Sequence, residues 1–201
     1  ATNGYTLNDF PWFKKRVFPM PSYIIATEDM PVELLRKLAP GGRMMVETRA
    51  KHSYFRISPN GRKIIFGGRA AMKPLPLNIA ANRLKNSLDD IWPEAKNFKV
   101  THAWTGNTGF SFNQVPHVGI SNGIHYAMGF SGSGTVLAPY LGAKAALRAL
   151  NDSSGGTAYS STKLRTSLIH FLDKPYFLNI FDFYYRYIID PIQFRQKNRP
   201  Q

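Results

Sequence analysis

Residues 124–150, IHYAMGFSGSGTVLAPYLGAKAALRAL, decide the fold. A short apolar strand from Ile124 to Gly129 enters a glycine-rich turn over 129–134 and leaves it as an apolar helix from Thr135 to Leu150. Gly129, Gly132 and Gly134 carry no Cβ, so backbone there can approach a ligand closely. The start of the helix presents unpaired N–H groups and the positive end of the helix dipole, which suit an anion or a partial negative charge. Pro139 is expected in the first turn or just past it, where a missing N–H costs least. Gly142, Ala143, Ala145, Ala146 and Ala149 make the helix slim enough to lie against a sheet or a flat group. The spacing G-x-x-G-x-G is not the G-x-G-x-x-G of a first Rossmann turn, and no second strand with an acidic ribose ligand follows. Taken alone, the turn fits an ordinary strand-to-helix connection equally well.

Upstream, the spacing predicts a strand over Ser22–Thr27 and a helix over Pro31–Leu38. Glu33 sits early in that helix and Arg36 and Lys37 late, as the dipole favours. Tyr54–Ile57 and Lys63–Phe66 read as a hairpin around Ser58-Pro59-Asn60-Gly61, with Asn-Gly supplying positive φ. A helix fits Leu77–Ile91, with Ile79, Leu84, Leu88 and Ile91 on one side. Residues 98–104 alternate as a half-buried strand, 105–118 read as a Gly/Asn-rich loop, and 153–156 read as a flexible link to a helical, aromatic tail. Strands alternating with helices and hairpins predict a mixed α/β or α+β chain.

The chain has 201 residues, enough for one good-sized core or two small lobes. Its 43% apolar and 19% charged content is that of a folded globular protein. No apolar run is long enough for a membrane span, and the first residues lack the basic and apolar regions of a signal peptide. Cysteine is absent, which excludes disulfides, thiolate metal ligands and a cysteinyl nucleophile, and agrees with a reducing, cytoplasmic setting. The net charge is +14, with ten Lys/Arg and the single acid Glu47 between Arg36 and Lys73. No nucleic-acid motif accompanies this charge, so no nucleic-acid partner is expected. Attraction of small anions or cofactor phosphates and a plain solvated basic face both remain open.

The run HAWTGNTGFSFNQVPHVGISNGIHYAMGFSGSGTVLAPYLGAKAA resembles the C-terminal cofactor segment of the FAD-dependent oxidoreductases of the D-amino-acid oxidase type, which include glycine, sarcosine and gamma-glutamylputrescine oxidases. The elements in order are Trp104 and Gly106, then Pro116 and Gly119, then Gly129, Gly132 and Gly134. Ala1-Thr2-Asn3-Gly4-Tyr5-Thr6 resembles the end of the last strand of that family's N-terminal FAD region. Tyr54-Phe55-Arg56 with Phe66-Gly67-Gly68-Arg69 resembles the substrate-domain hairpin of the putrescine-type branch, and FLNIFDFYYRYIID its C-terminal helix. Asn113 stands where the family often has Asp.

The resemblance implies an antiparallel or mixed-sheet substrate domain over 11–100. It places the end of an FAD-domain strand at 1–10, a C-terminal FAD-binding segment of a Rossmann-like domain over 101–152, and a helical extension over 153–201. The family's pyrophosphate-binding half has no counterpart in these residues, so that half is expected as a partner, in the same or a separate chain. The implied activity is hydride transfer from a C–H bond beside an amine to flavin N5, with an amine or amino acid as substrate. The implied cofactor-binding residues are Thr2, Gly4, Trp104, Gly106, Gly119, Gly129, Phe130, Gly132, Ser133, Gly134 and Thr135. N–H groups around Gly132–Thr135 would face the flavin's pyrimidine end, as an oxyanion hole faces an alkoxide. The basic, pyrophosphate-free composition also leaves open a non-catalytic partner- or anion-binding domain.

Arg56 and Arg69 are candidates for gripping a substrate carboxylate, because a guanidinium fork matches it bidentately. Tyr54 shares a strand face with Arg56 and is placed on the substrate side. His52, His102, His117, His125 and His170 show no metal-ligand spacing, so no metal is expected, although His117 lies close enough in sequence to Gly119 to approach the flavin. From Pro175 to Ile189 the tail is apolar almost all round, with Asn179, Asp182 and Arg186 as one polar stripe and Asp182 and Arg186 spaced to pair. Such a helix is expected to be covered, by the family's N-terminal half or by a second subunit.

Overall fold

The computed structural model describes residues 2–6, 10–49, 51–166 and 176–192. Ala1, His170 and Pro175, all named above, lie outside them, as do residues 7–9 and the tail beyond Ile192. In chain order the elements are α1 (Pro11–Lys14), β1 (Val17–Thr27), α2 (Val32–Leu38), β2 (Met45–Val46), β3 (Ser53–Ile57), β4 (Ile64–Gly68) and α3 (Leu77–Ile91). They continue with β5 (Val100–Ser111), β6 (His117–Ser121), β7 (Ile124–Met128), α4 (Gly134–Ala149), α5 (Ala158–Ser161) and α6 (Phe177–Tyr184), which runs into a π turn at Tyr185–Ile189. The fold is mixed α/β with antiparallel pairing. The chain divides into two compact units, Ala1–Met20 with Asn107–Phe177 and Pro21–Gly106 with Leu178–Gln201.

The second unit is built on a sheet of order β2-β3-β4-β1-β5, with β2–β3, β3–β4 and β4–β1 antiparallel. One face packs against α2 and α3: Tyr23, Ile25, Phe55, Ile64 and Phe66 meet Leu35, Leu38, Ala80, Leu84 and Leu88. Burying a leucine such as Leu88 stabilises by roughly 1.5–3 kcal/mol. The buried row of α3 is Ala80, Leu84, Leu88, spaced by four, and Ile79, expected in it, is 42% exposed. Ile79 to Leu84 is a step of five, which turns a helix past its own face.

The hairpin forms as expected, but of Asn60 and Gly61 only Gly61 has positive φ. The Gly61 N–H donates to the Ser58 carbonyl at 2.8 Å and the Ser58 hydroxyl to Asn60 Oδ1 at 2.6 Å, and β4 starts at Ile64, one residue later than expected, so the loop has six residues. The strand expected at Ser22 begins at Val17 and holds Pro19 and Pro21. Asp182 is buried and accepts a hydrogen bond from the Met72 N–H at 2.8 Å. It therefore ties α6 to the loop after β4 and does not pair with Arg186 as its spacing suggested. Leu178 of α6 is buried as well, whereas Ile180, Phe183 and Tyr184 of α6 and Tyr187 and Ile188 of the π turn are exposed among the described residues.

In the first unit β6 and β7 form a hairpin closed by Asn122 and Gly123, both at positive φ, the geometry of a two-residue primed turn. The region expected as a loop over 105–118 is instead strand β5 to Ser111, a turn, and β6 from His117. Gly109 N–H donates to Asn3 Oδ1 at 3.0 Å and Asn3 Nδ2 to the Asn107 carbonyl at 3.5 Å, so an asparagine amide stands beside β5 where a strand would. The close approach explains the glycines: a Cβ on Gly4 would fall 2.9 Å from Asn107 backbone and one on Gly109 3.0 Å from Asn3. The link at 153–156 is ordered. Asp152 caps it by accepting from the Ser154 N–H, and buried Gly155 packs on Arg148. Pro139 lies inside α4, beyond the first turn.

Tyr54 pairs with Gly67 across the β3–β4 ladder, and a Cβ on Gly67 would collide with the Tyr54 ring. Gly67→Ala is therefore expected to destabilise by about 1–3 kcal/mol. In a Tyr54→Ala background the same change is expected to cost little, because the obstacle is one side chain. Urea unfolding of the four variants of this cycle measures the coupling.

Candidate functional site

A cleft of about 830 Å³ opens in the first unit. One wall is α4, which turns Gly134, Ala138, Gly142 and Ala145 toward it. These small residues recur at helical spacing, so the wall is shallow and flat. Strand β7 supplies Ile124 through Met128, and α1 with its preceding residue supplies Phe10 and Phe13. Thr2, Asn3, Thr6 and Thr108 contribute polar groups. A Cβ built on Gly142 or Gly132 meets nothing within 4 Å, so both glycines look onto open space.

The turn that feeds α4 is held in an unusual backbone path. Gly129, Ser131 and Gly132 have φ of 76°, 52° and 102°. The Ser131 N–H donates to the Gly109 carbonyl at 3.0 Å, and the Ser131 hydroxyl donates to the Gly129 carbonyl at 3.1 Å. The Ser133 side chain at the helix start makes no capping bond. First-turn N–H groups of α4 thus keep donor capacity beside Gly134 and Thr135, at the positive end of a 16-residue helix.

Behind the turn, buried Ser111 donates to the Val115 carbonyl at 2.8 Å and meets Asn113 Oδ1 at 3.0 Å. Asn113 Oδ1 also accepts from the Val115 N–H at 3.3 Å and lies 3.0 Å from His117 Nε2. His117 is fully buried, with Nδ1 2.9 Å from the Thr162 carbonyl. This histidine ties β6 to the segment after α5 and does not line the cleft. Tyr126 packs on Trp12 and Phe13. Burial pushes its phenol above the ordinary range, opposed by Arg16, whose own guanidinium is lowered by burial.

Of the residues singled out in the sequence, Thr2, Phe130, Gly132, Gly134 and Thr135 line the cleft. Gly4, Gly119 and Gly129 stand behind it: an added Cβ would meet Asn107, the Tyr126 hydroxyl and Ser111, each within 3 Å. Ser133 is the residue before α4. Trp104 and Gly106 lie on β5 in the second unit, and Trp104 is 43% exposed. Asn3 and Thr6 lie in the N-terminal stretch that carries the resemblance but are not among the expected site residues, and no local motif marks Phe10, Phe13 or Ala138 as lining a site.

In the second unit the Tyr54 and Ser22 hydroxyls are 2.5 Å apart. Arg56 Nε donates to the Ile57 carbonyl at 3.0 Å, and the side chain borders a hollow with Val32, Arg36 and Pro59. Arg69 lines a different cavity, beside α3, and burial lowers its guanidinium pKa. The two arginines are not brought to one pocket. Among the described residues no cluster of His, Asp or Glu is arranged to hold a metal, and no helix is long and apolar enough to cross a membrane.

Residues 1–148 match the family model described as FAD dependent oxidoreductase. A probable oxidoreductase, OrdL, of Rhizobium meliloti is 33% identical over 156 residues, 77% of this chain and 36% of that protein. The gamma-glutamylputrescine oxidoreductase of Escherichia coli is 26% identical over 125 residues, 62% of this chain and 29% of that protein. The chain spans about a third of the length of the curated relatives it matches. Among solved structures, L-proline dehydrogenase from P. horikoshii aligns with a TM-score of 0.58 at 20% identity over 90% of this chain and 46% of that one. Glycine oxidase from Geobacillus kaustophilus aligns with a TM-score of 0.55 at 16% identity, over 76% and 40%.

Gly129 combines positive φ with a Cβ position 2.9 Å from Ser111 Cβ, whereas Gly132 has positive φ and open space. Both alanine variants are expected to be destabilised, by about 1–3 kcal/mol for the backbone strain. Gly129→Ala is expected to be the worse of the two, read as the larger fall in urea midpoint.

Proposed function

The chain belongs to the FAD-dependent oxidoreductase family, and from that premise we propose that it supplies the flavin-ring end of the cofactor site and the substrate domain of an oxidase or dehydrogenase acting on an amine or amino acid. The observation that carries this reading is the cleft of the first unit, where a slim helix face and an open helix start meet a left-handed glycine turn. Those features fit a flat, partly anionic group. Gly134, Ala138, Gly142 and Ala145 leave room for a ring to lie close, and a larger side chain at any of them would fill that room. The N–H groups at Gly134 and Thr135 and the dipole behind them would favour negative charge at the near edge of the ring. Phe10, Phe13 and Met128 would keep water from its face. When bound, FAD supplies a hydride acceptor, which makes oxidation of a C–H bond beside a nitrogen the available chemistry. The pyrophosphate and adenosine would be held by the family's N-terminal half, in the same or another chain.

Tyr54 and Ser22, joined by their hydroxyls on the sheet of the second unit, are the polar pair proposed for the substrate side. An amine without a carboxylate at the reacting carbon is the favoured substrate. Its support is that Arg56 Nε is engaged by its own backbone neighbour and that Arg56 and Arg69 border separate hollows. The gamma-glutamylputrescine oxidoreductase, the L-proline dehydrogenase and the glycine oxidase that the chain resembles each act on an amine or an amino acid by name.

The native preparation, combined with the family's N-terminal half, is expected to show flavin absorption bands that bleach when a suitable amine is added without oxygen. Gly142→Leu is expected to abolish the bands while leaving the thermal midpoint unchanged, since its Cβ meets open space. A wild-type preparation that binds no flavin, or a Gly142→Leu variant that keeps its bands, overturns the proposed cofactor cleft.

A further inference from the structure

A second cavity, of about 300 Å³, lies wholly in the second unit. Its walls come from four separated stretches: the approach to β3, the residues after β4, the C-terminal half of α3, and the π turn with Asp190. Arg49, Lys51, Arg69, Arg83 and Arg186 all line it. Asp90 and Asp190 line it too, and Glu47 pairs with Arg49, which among the described residues leaves a surplus of two positive charges. We propose that this cavity binds a phosphate-type oxyanion, either free phosphate or the phosphate group of a small ester.

The charges are gathered in a concavity, where like charges repel more strongly than on an open surface. Burial is the largest influence lowering the Arg69 guanidinium. His52, next to Lys51, is likewise lowered, first by burial and then by Arg69. The charge of a bound anion would oppose both shifts.

The donors suit phosphate in number and in kind. Arg83 Nη1 donates to the Ala70 carbonyl at 3.0 Å, which fixes the guanidinium at the wall while its other N–H groups remain available. Lys51 is held 2.5 Å from Asp190, with 13% of its side chain exposed. Ser53, Asn86 and Ser87 add neutral donors to the lining. Guanidinium forks match phosphate bidentately. A phosphate carries about −1.5 to −2 at pH 7, close to the surplus, whereas a monocarboxylate would leave it half balanced. The volume is at the lower end of the range for ligand pockets, which favours a small anion over a dinucleotide. The cavity shares no lining residue with the cleft of the first unit, so the proposal does not rest on the flavin reading.

The test is calorimetric titration of the full chain at fixed ionic strength, with inorganic phosphate, with glycerol phosphate, and with chloride as control. Saturable one-to-one binding of phosphate or the ester, absent for chloride, is expected. Arg83→Gln and Arg186→Gln should each weaken it about tenfold, the scale of one charge-assisted hydrogen bond. Lys37→Gln, at an exposed pair with Glu94, should leave it unchanged. Tighter binding of phosphate than of the ester identifies the free ion as occupant, and the reverse identifies the ester. The proton NMR titration of His52 should move upward on binding, a readout that a folding defect would not mimic. The proposal is overturned if neither anion binds saturably, if the two arginine variants bind as the wild type does, or if all three variants weaken alike, which would mean diffuse charge and no site.

Discussion

The chain passes from β7 to α4 through three left-handed residues in four positions, Gly129, Ser131 and Gly132. Most side chains cannot adopt that path, and for Ser131 it costs free energy that the surroundings must offset. They do so through the Ser131 N–H bond to Gly109 and through Ser111, which fills the space a Cβ at Gly129 would take. Because β5 supplies both Gly109 and Ser111, the strand fixes where the helix begins. Because Asn3 binds the same stretch of β5, the N-terminal residues are brought to the same cleft. One strained turn therefore sets the position of the helix start, the slim face of α4 and the Thr2–Thr6 segment together.

The parts of this arrangement that obey local rules were legible in the sequence. The strand-turn-helix at 124–150 formed with α4 beginning one residue early, and α2, α3 and the β3–β4 hairpin lie where periodicity and turn residues put them. The failures share a cause. The stretch 105–118 looks like a loop because Thr-Gly-Asn-Thr-Gly is a loop composition, yet Gly109 leaves room for close approach by Asn3. Asn122-Gly123, a strong local hairpin signal, closes the β6–β7 turn with both residues at positive φ. The flexible reading of 153–156 missed that Asp152 and a buried glycine make it a helix stop.

The site was legible only where backbone chemistry defines it. Glycines at the turn and small residues along α4 announce themselves, because their type is the function. Phe10 and Phe13 reach the cleft through the fold, and nothing in their neighbours distinguishes them from ordinary core or loop residues. The arginines went the other way. Arg56 and Arg69 are both candidates for a substrate carboxylate by residue type, but one lies on β3 and the other past the end of β4, and they border different hollows. Likewise the polar stripe of α6 was read as an ion pair, and Asp182 instead satisfies the Met72 N–H. A buried carboxylate next to an unpaired amide gains more from that bond than from an exposed guanidinium one turn away.

Charge distribution follows from the same scarcity. With 12 acids against 26 bases, carboxylates cannot balance every cation. Several are placed where they also perform structural tasks: Asp29 holds Arg62 and Lys63 at the hairpin, Asp89 holds Lys85 against the end of α3, and Glu47 accepts from Ser53 as well as pairing with Arg49. On an open surface the uncompensated cations cost little, because water and salt screen them. The residues from Arg49 to Arg69, however, include the β3–β4 hairpin, and its fold carries Arg49, Lys51 and Arg69 to one wall, where α3 adds Arg83 and the π turn adds Arg186. A basic stretch that reads as a solvated face in one dimension becomes a concave cluster in three. That convergence of separate segments on one charge sign, rather than the net charge of the chain, distinguishes a site from a surface.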